Sequence, residues 1–262
     1  MQNNEKAPLL GAVGVFGPMP QSQKPVGIIC DYDRCGDILF HQDWNHQERI
    51  SINKNTQGAL TSEECSNLSR IYGLVKNAFE VELTSITDGL KVHFYNGSQR
   101  QTKSHDDKTR DQNKNGSCFN DFERYCSDNG WIFEKQCVLS AEALREVKHS
   151  KIVLVDQKLK NFSDQYKREE GLFDVYFFDD DPKAINIRGN KISLFDEIEN
   201  AINHGTLCIP SNIRLHLIKF DWYDRLKQLH STRQLECLST FEIYGSYDAN
   251  DNIAYCCSCA IS

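Results

Sequence analysis

Val26-Gly27-Ile28-Ile29-Cys30-Asp31-Tyr32-Asp33 is an apolar run that stops abruptly at an acid pair. A short apolar run of this kind fits a strand buried on both faces of a sheet. The same design recurs along the chain. Leu90 to Tyr95 predicts a second strand, closing in Asn96-Gly97-Ser98, and Ile152-Val153-Leu154-Val155 predicts another, ending in Asp156. Val175-Tyr176-Phe177-Phe178 runs into three acids, Asp179, Asp180 and Asp181, and Ile213 to Ile218 predicts a last core strand.

Helical patterns lie between these runs. Thr61-Ser62-Glu63-Glu64 is a capping box, followed by Leu68, Ile71, Tyr72, Val75 and Phe79 on one helical face. Further helices are expected at Phe119–Ile132, Ala141–Val147, Lys158–Tyr166 and Leu194–Ile202, the last with a His204-Gly205 stop. A small hairpin is expected within residues 36–57, from Ile38-Leu39-Phe40 to Ile50-Ser51-Ile52. Residues 99–117 contain no apolar side chain and read as an exposed loop, a helix edge or a disordered stretch. Strands alternating with helices predict an α/β fold with a mostly parallel sheet and flanking crossover helices. Residues 1–24 read as a loose segment, 25–240 as the α/β domain, and 241–262 as short strands and a tail.

Composition sets outer bounds. The 262 residues are 39% hydrophobic and 26% charged, which suits a soluble fold with a real core. A net charge of −7 argues against general affinity for nucleic acid. No stretch of about 20 apolar residues predicts a spanning helix. Residues 8–19 are broken by Gly and Pro and do not read as a secretory signal. The 11 cysteines show no framework spacing. Cys30 and Cys137 read as small buried hydrophobes, and the fold is expected in a reducing cytosol.

In open α/β sheets, ligands bind beyond the carboxyl ends of the strands. Asp31, Asp33, Ser98, Asp179 and Asp180 all follow strand candidates. If those strands are neighbours, the carboxylates crowd together, and a hard cation relieves their repulsion. Each feature also has a plain reading: turn chemistry for Asp31-Tyr32-Asp33 and Ser98, and helix capping for the triple acid.

The order of these features resembles the haloacid dehalogenase-like superfamily. Its first motif, hhhhDxD, stands here as Gly27 to Asp33. Its second, a strand ending in Ser or Thr, stands as His93 to Ser98. Its fourth, a strand ending in paired acids, stands as Phe177-Phe178-Asp179-Asp180. The resemblance implies a Rossmann-like fold with a small or absent cap and a Mg2+-dependent phosphatase. Asp31 is then the nucleophile and Asp33 the acid and base. Ser98 and a lysine bind the phosphoryl oxygens. The metal is held by Asp31, the Asp33 carbonyl and Asp179, with Asp180 as a ligand or beside them. Lys158, after the Val155-Asp156 strand end, is the chosen lysine, with Lys151 and Lys167 as alternatives. Cys35 departs from the motif, where Thr or Val is usual. An Asp-x-Asp glycosyltransferase and a catalytically inactive scaffold stay open beside the phosphatase.

Phe94 to Thr102 and Ile209-Pro210-Ser211-Asn212 resemble a subgroup found among Dot/Icm-type secretion effectors of intracellular bacteria. This implies secretion by a bacterial type IV system into the host cytosol. The implied substrate is a phosphoprotein, with phosphotyrosine among the candidates. The final Cys259-Ala260-Ile261-Ser262 reads as a C-a-a-X box of the farnesylated type. A host prenyltransferase would then modify Cys259. One prenyl chain anchors only marginally, so palmitoylation of Cys256 or Cys257 is the expected second signal on a host membrane. A strand end or a partial metal site is the alternative reading of this tail.

Overall fold

The computed structural model describes residues 23–40, 60–113, 116–135, 139, 151–181, 183–185, 191–232 and 242–252. The expectations for Ile50–Ile52, Ala141–Val147, Cys137, Cys256, Cys257 and Cys259 lie outside them.

The chain starts with β1 (Pro25–Cys30), followed after the acid pair by a 3₁₀ helix (Gly36–Leu39). Next come α1 (Ser62–Thr87), β2 (Lys91–Asn96), α2 (Lys103–Asn113), α3 (Cys118–Asp128) and β3 (Ile132–Phe133). Then follow α4 (Ile152–Gln165), β4 (Phe173–Asp179), the short pair β5 (Lys183–Ile185) and β6 (Lys191–Ser193), and α5 (Leu194–Asn203). The last elements are β7 (Ile213–Lys219), α6 (Trp222–Thr232) and β8 (Glu242–Tyr247), before a 3₁₀ turn. Six strands form one sheet in the order β3-β2-β1-β4-β7-β8. All neighbours are parallel except β7 and β8. The fold is a Rossmann-like α/β sheet flanked by helices, as the alternation of runs predicts.

Why the central strands read as continuous apolar runs is visible in their packing. Ile28, Cys30, Phe94 and Phe178 point to one face, under α1, α3 and α6, where Phe79, Phe122 and Trp222 meet them. Ile29, Tyr95, Val175 and Phe177 point to the other, under α4 and α5, with Leu159, Phe162 and Ile198. Each buried side chain of this size contributes about 1.5–3 kcal/mol. The core of the first face includes a stacked pair, Phe79 on Phe220, with ring centroids 4.2 Å apart. Helix α1 begins as its sequence predicts. The Thr61 hydroxyl accepts from Glu64 N–H at 3.2 Å, and Thr61 N–H donates to the Glu64 carboxylate at 2.8 Å.

Two expectations are corrected. Ile152 to Val155 is not a strand but the first turn of α4. Its buried positions Leu154, Val155, Lys158, Leu159 and Phe162 lie along one helical face, and that spacing prevails over the β-branched composition. Ile38-Leu39 belongs to the 3₁₀ helix rather than to a hairpin strand. Of the readings open for residues 99–117, the helical one holds, with α2 over Lys103–Asn113. No helix among the described residues is long and apolar enough to cross a membrane.

Candidate functional site

The chain runs outward from β1 in one direction through β2 and β3, then returns to add β4 and β7 on the other side. The order therefore reverses between β1 and β4, which is where open α/β sheets form a ligand crevice. Asp31 follows β1, and Asp179 ends β4. The two ends are tied together, because Asp31 N–H donates to the Phe178 carbonyl at 2.9 Å.

The chain must turn at once after Asp31. The Asp31 carbonyl accepts from Gly36 N–H at 3.0 Å and the Tyr32 carbonyl from Asp37 N–H at 2.9 Å. Arg34 completes the turn in the left-handed region, at φ 61°. On the other side, Gly97 N–H donates to the Cys30 carbonyl at 2.7 Å. A Cβ at Gly97 would stand 2.8 Å from the Cys30 carbonyl carbon and 3.0 Å from Asp31 N. Glycine is needed there because the backbone after β2 lies directly against the peptide that carries Asp31.

Asp31, Asp179 and Asp180 converge, each offering an oxygen within 4.8 Å of the others. Asp31 and Asp179 are almost wholly buried. Burial pushes the Asp31 carboxyl up to about 7, with Lys151 opposing and Asp179 adding to the rise. Burial also pushes Asp180 up to about 8, helped by Asp179 and Asp31. These groups crowd together more tightly than unaided carboxylates tolerate.

Lys151 is what offsets them. Its Nζ lies 2.8 Å from Asp31 Oδ1 and 2.6 Å from Asp179 Oδ2, and it is buried with both. Desolvation works against the ammonium, but Asp179 and Asp31 outweigh it and hold the amine well above its ordinary range. Lys151 precedes the first residue of α4, so the helix delivers it to the sheet edge. Lys158, the residue chosen from sequence, lies further along α4. It is buried and within electrostatic reach of Glu134. The structure thus brings Lys151, one of the two alternatives, to Asp31.

Asp33 stands at the edge of the cluster, with its side chain 43% exposed and paired with Arg100. Ser98 is buried beyond β2, and its hydroxyl accepts from Arg100 N–H at 3.3 Å. Asp181, third of the triple acid, does serve a helix: its Oδ1 accepts from Phe195 N–H at 2.9 Å, in the first turn of α5.

Several site residues escape a reading of the sequence. Arg100 and Asp106 are buried within a stretch that shows no apolar residue. Asp37 accepts from the Trp222 indole N–H at 2.7 Å, and burial pushes its carboxyl up to about 8. Asp221 accepts from Tyr223 and Asp224 N–H at the start of α6, and burial raises its carboxyl to about 6. Arg100 lies four residues past β2 and Asp221 two past β7, so only Asp37 and Asp106 stand away from a strand end. A polar residue following two apolar runs brought together by the fold would be the only signal.

The donor set suits a hard divalent cation. It is all carboxylate oxygen, two of its three acids are buried, and Lys151 offsets their charge only in part. No family model matches the chain, and neither curated proteins nor solved structures show a significant match to it.

Proposed function

We propose that the chain is a magnesium-dependent phosphoester hydrolase in which Asp31 is the nucleophile. The observation that carries this reading is the meeting of Asp31, Asp179, Asp180 and Lys151 at the point where the strand order reverses. Such a constellation pairs a buried carboxylate with an ammonium, and a cation held by the acids would supply the further positive charge that a phosphoryl group needs.

Asp31, Asp179 and Asp180 are the residues that would hold magnesium. When bound, magnesium neutralises charge on the phosphoryl oxygens. Asp31 attacks phosphorus, so an Asp31 oxygen–phosphorus bond forms as the bond to the leaving oxygen breaks. Asp33, at the exposed edge, gives that oxygen a proton and later takes one from the water that cleaves the aspartyl-phosphate. Lys151 holds the Asp31 carboxylate in place and offers its ammonium to a phosphoryl oxygen. The Asp-x-Asp of a glycosyltransferase would use both acids on one metal. Here the carboxylate cluster takes Asp31 and leaves Asp33 with Arg100, which favours the phosphatase.

Hydrolysis of an aryl phosphate by the full chain should require magnesium and vanish in Asp31→Asn. Turnover persisting in that variant would overturn the assignment of Asp31.

A further inference from the structure

Arg100 is an unusual residue to bury. It lies two positions past Ser98 and is 2% exposed, in a stretch with no apolar side chains to cover it. Burying a guanidinium is costly unless it is paired and hydrogen-bonded. Here the surroundings are built to receive it. Asp106, in α2, is wholly buried. It accepts from Ser117 Oγ at 2.7 Å, from Cys118 N–H at 3.1 Å and from Phe119 N–H at 3.4 Å. That fixes the carboxylate against the first turn of α3. Arg100 Nη1 then reaches Asp106 at 3.4 Å and donates to the Gly116 carbonyl at 2.9 Å. The guanidinium carbon lies 5.0 Å from the centre of the Tyr32 ring. A Cβ at Gly116 would fall directly on the Tyr32 hydroxyl, so glycine is needed for this carbonyl to approach.

Anchored on these sides, the fork presents Nη2 to Asp33 Oδ1. Its Nε is buried with no hydrogen-bond partner among the described residues. An unpaired buried donor is tolerated where a group is held for a task rather than for stability. The polar stretch after β2 thus folds into a bracket that aims one guanidinium at the exposed acid of the site.

We propose that Arg100 is the positioning residue of proton transfer, holding the Asp33 carboxyl where it meets the leaving oxygen. The inference rests on the phosphatase reading above. Asp33 enters the step protonated on Oδ2, its Oδ1 accepting from Arg100 Nη2, and passes that proton to the leaving oxygen as that oxygen's bond to phosphorus breaks, which leaves its carboxylate facing the guanidinium. Arg100 neither gives nor takes a proton. It fixes the direction of the group that does.

The test uses two substrates with the full chain and magnesium. The phenolate of phenyl phosphate needs a proton to leave, whereas that of 2,4-dinitrophenyl phosphate leaves without one. In Arg100→Gln, kcat/KM for phenyl phosphate should fall about 100-fold, the scale of a well-placed general acid. The value for the dinitrophenyl ester should fall far less. Arg100→Lys should recover part of the phenyl phosphate rate, because it keeps the charge but loses the fork. The ratio of the two substrates is measured within one preparation, so a smaller folded fraction lowers both rates alike and leaves it unmoved. Equal losses on both esters, or none on either, in an enzyme whose unsubstituted form is active would overturn the inference alone. No magnesium-dependent turnover in the unsubstituted protein would remove the phosphatase reading and this inference together.

Discussion

An ammonium 2.8 Å from Asp31 and 2.6 Å from Asp179 ties one lysine to two buried acids. Removing it leaves both acids without their counter-charge, which is costly in a buried site. In the proposed mechanism it also takes away the ammonium beside the attacking oxygen. In Lys151→Met, kcat on an aryl phosphate should fall by about 10²- to 10³-fold, the effect of losing one preorganised charge partner. Lys158→Met is the matched control. Seven residues of helix separate the two lysines, an axial rise of about 10 Å. Lys158→Met should therefore keep kcat, with any loss confined to the melting temperature. Steady-state rates and thermal melts of the two variants separate the roles, and the reverse pattern would return the site lysine to Lys158. The sequence pointed to Lys158 because Ile152 to Val155 looked like a strand, whose end would lie at the catalytic edge. Once that run is the start of α4, the edge belongs to the residue before the helix, which is Lys151.

Elements were legible where burial is two-sided or amphipathic, and obscure where polar groups are buried. β1 is buried along its whole length and β2, β4 and β7 are rich in buried apolar residues, so their runs stand out, and the acids that follow β1 and β4 come together because those strands are neighbours. Helix α1 announces itself through the Thr61–Glu64 box. By contrast, Arg100 and Asp106 pair with one another and with the backbone, and hydrophobic patterning carries no trace of such a bracket. The junction of β1 and β2 makes a prediction at this scale. Gly97 packs against the Cys30 carbonyl, and an added methyl would require the Cys30–Asp31 peptide to shift. Overpacking of this kind costs about 1–3 kcal/mol. Gly97→Ala should lower the melting temperature and, because the displaced peptide carries Asp31, reduce kcat. A melt and a rate equal to those of the unsubstituted protein would show that the peptide can give way freely.

At the scale of the whole molecule, the sheet gathers acids from distant parts of the chain, and their mutual repulsion is a cost borne by the folded state alone. Lys151 offsets part of it. Burial and the neighbouring acids still hold Asp31 and Asp180 above the ordinary carboxylate range. A cation that binds this cluster therefore binds the native chain and has no equivalent site once the strands separate. Such a ligand stabilises by mass action, about 2.7 kcal/mol at a hundredfold excess over its Kd. For a chain of this size each kcal/mol raises the melting temperature by roughly 2–4 °C. Saturating magnesium should thus raise the melting temperature by several degrees over the same protein in chelator, with no substrate present. Asp179→Asn removes a ligand from the centre of the cluster and should abolish most of that rise, whatever it does to the baseline. A magnesium-induced shift of the same size in both proteins would place the cation elsewhere. No shift in either would leave the acids as a charge cluster served by Lys151 alone.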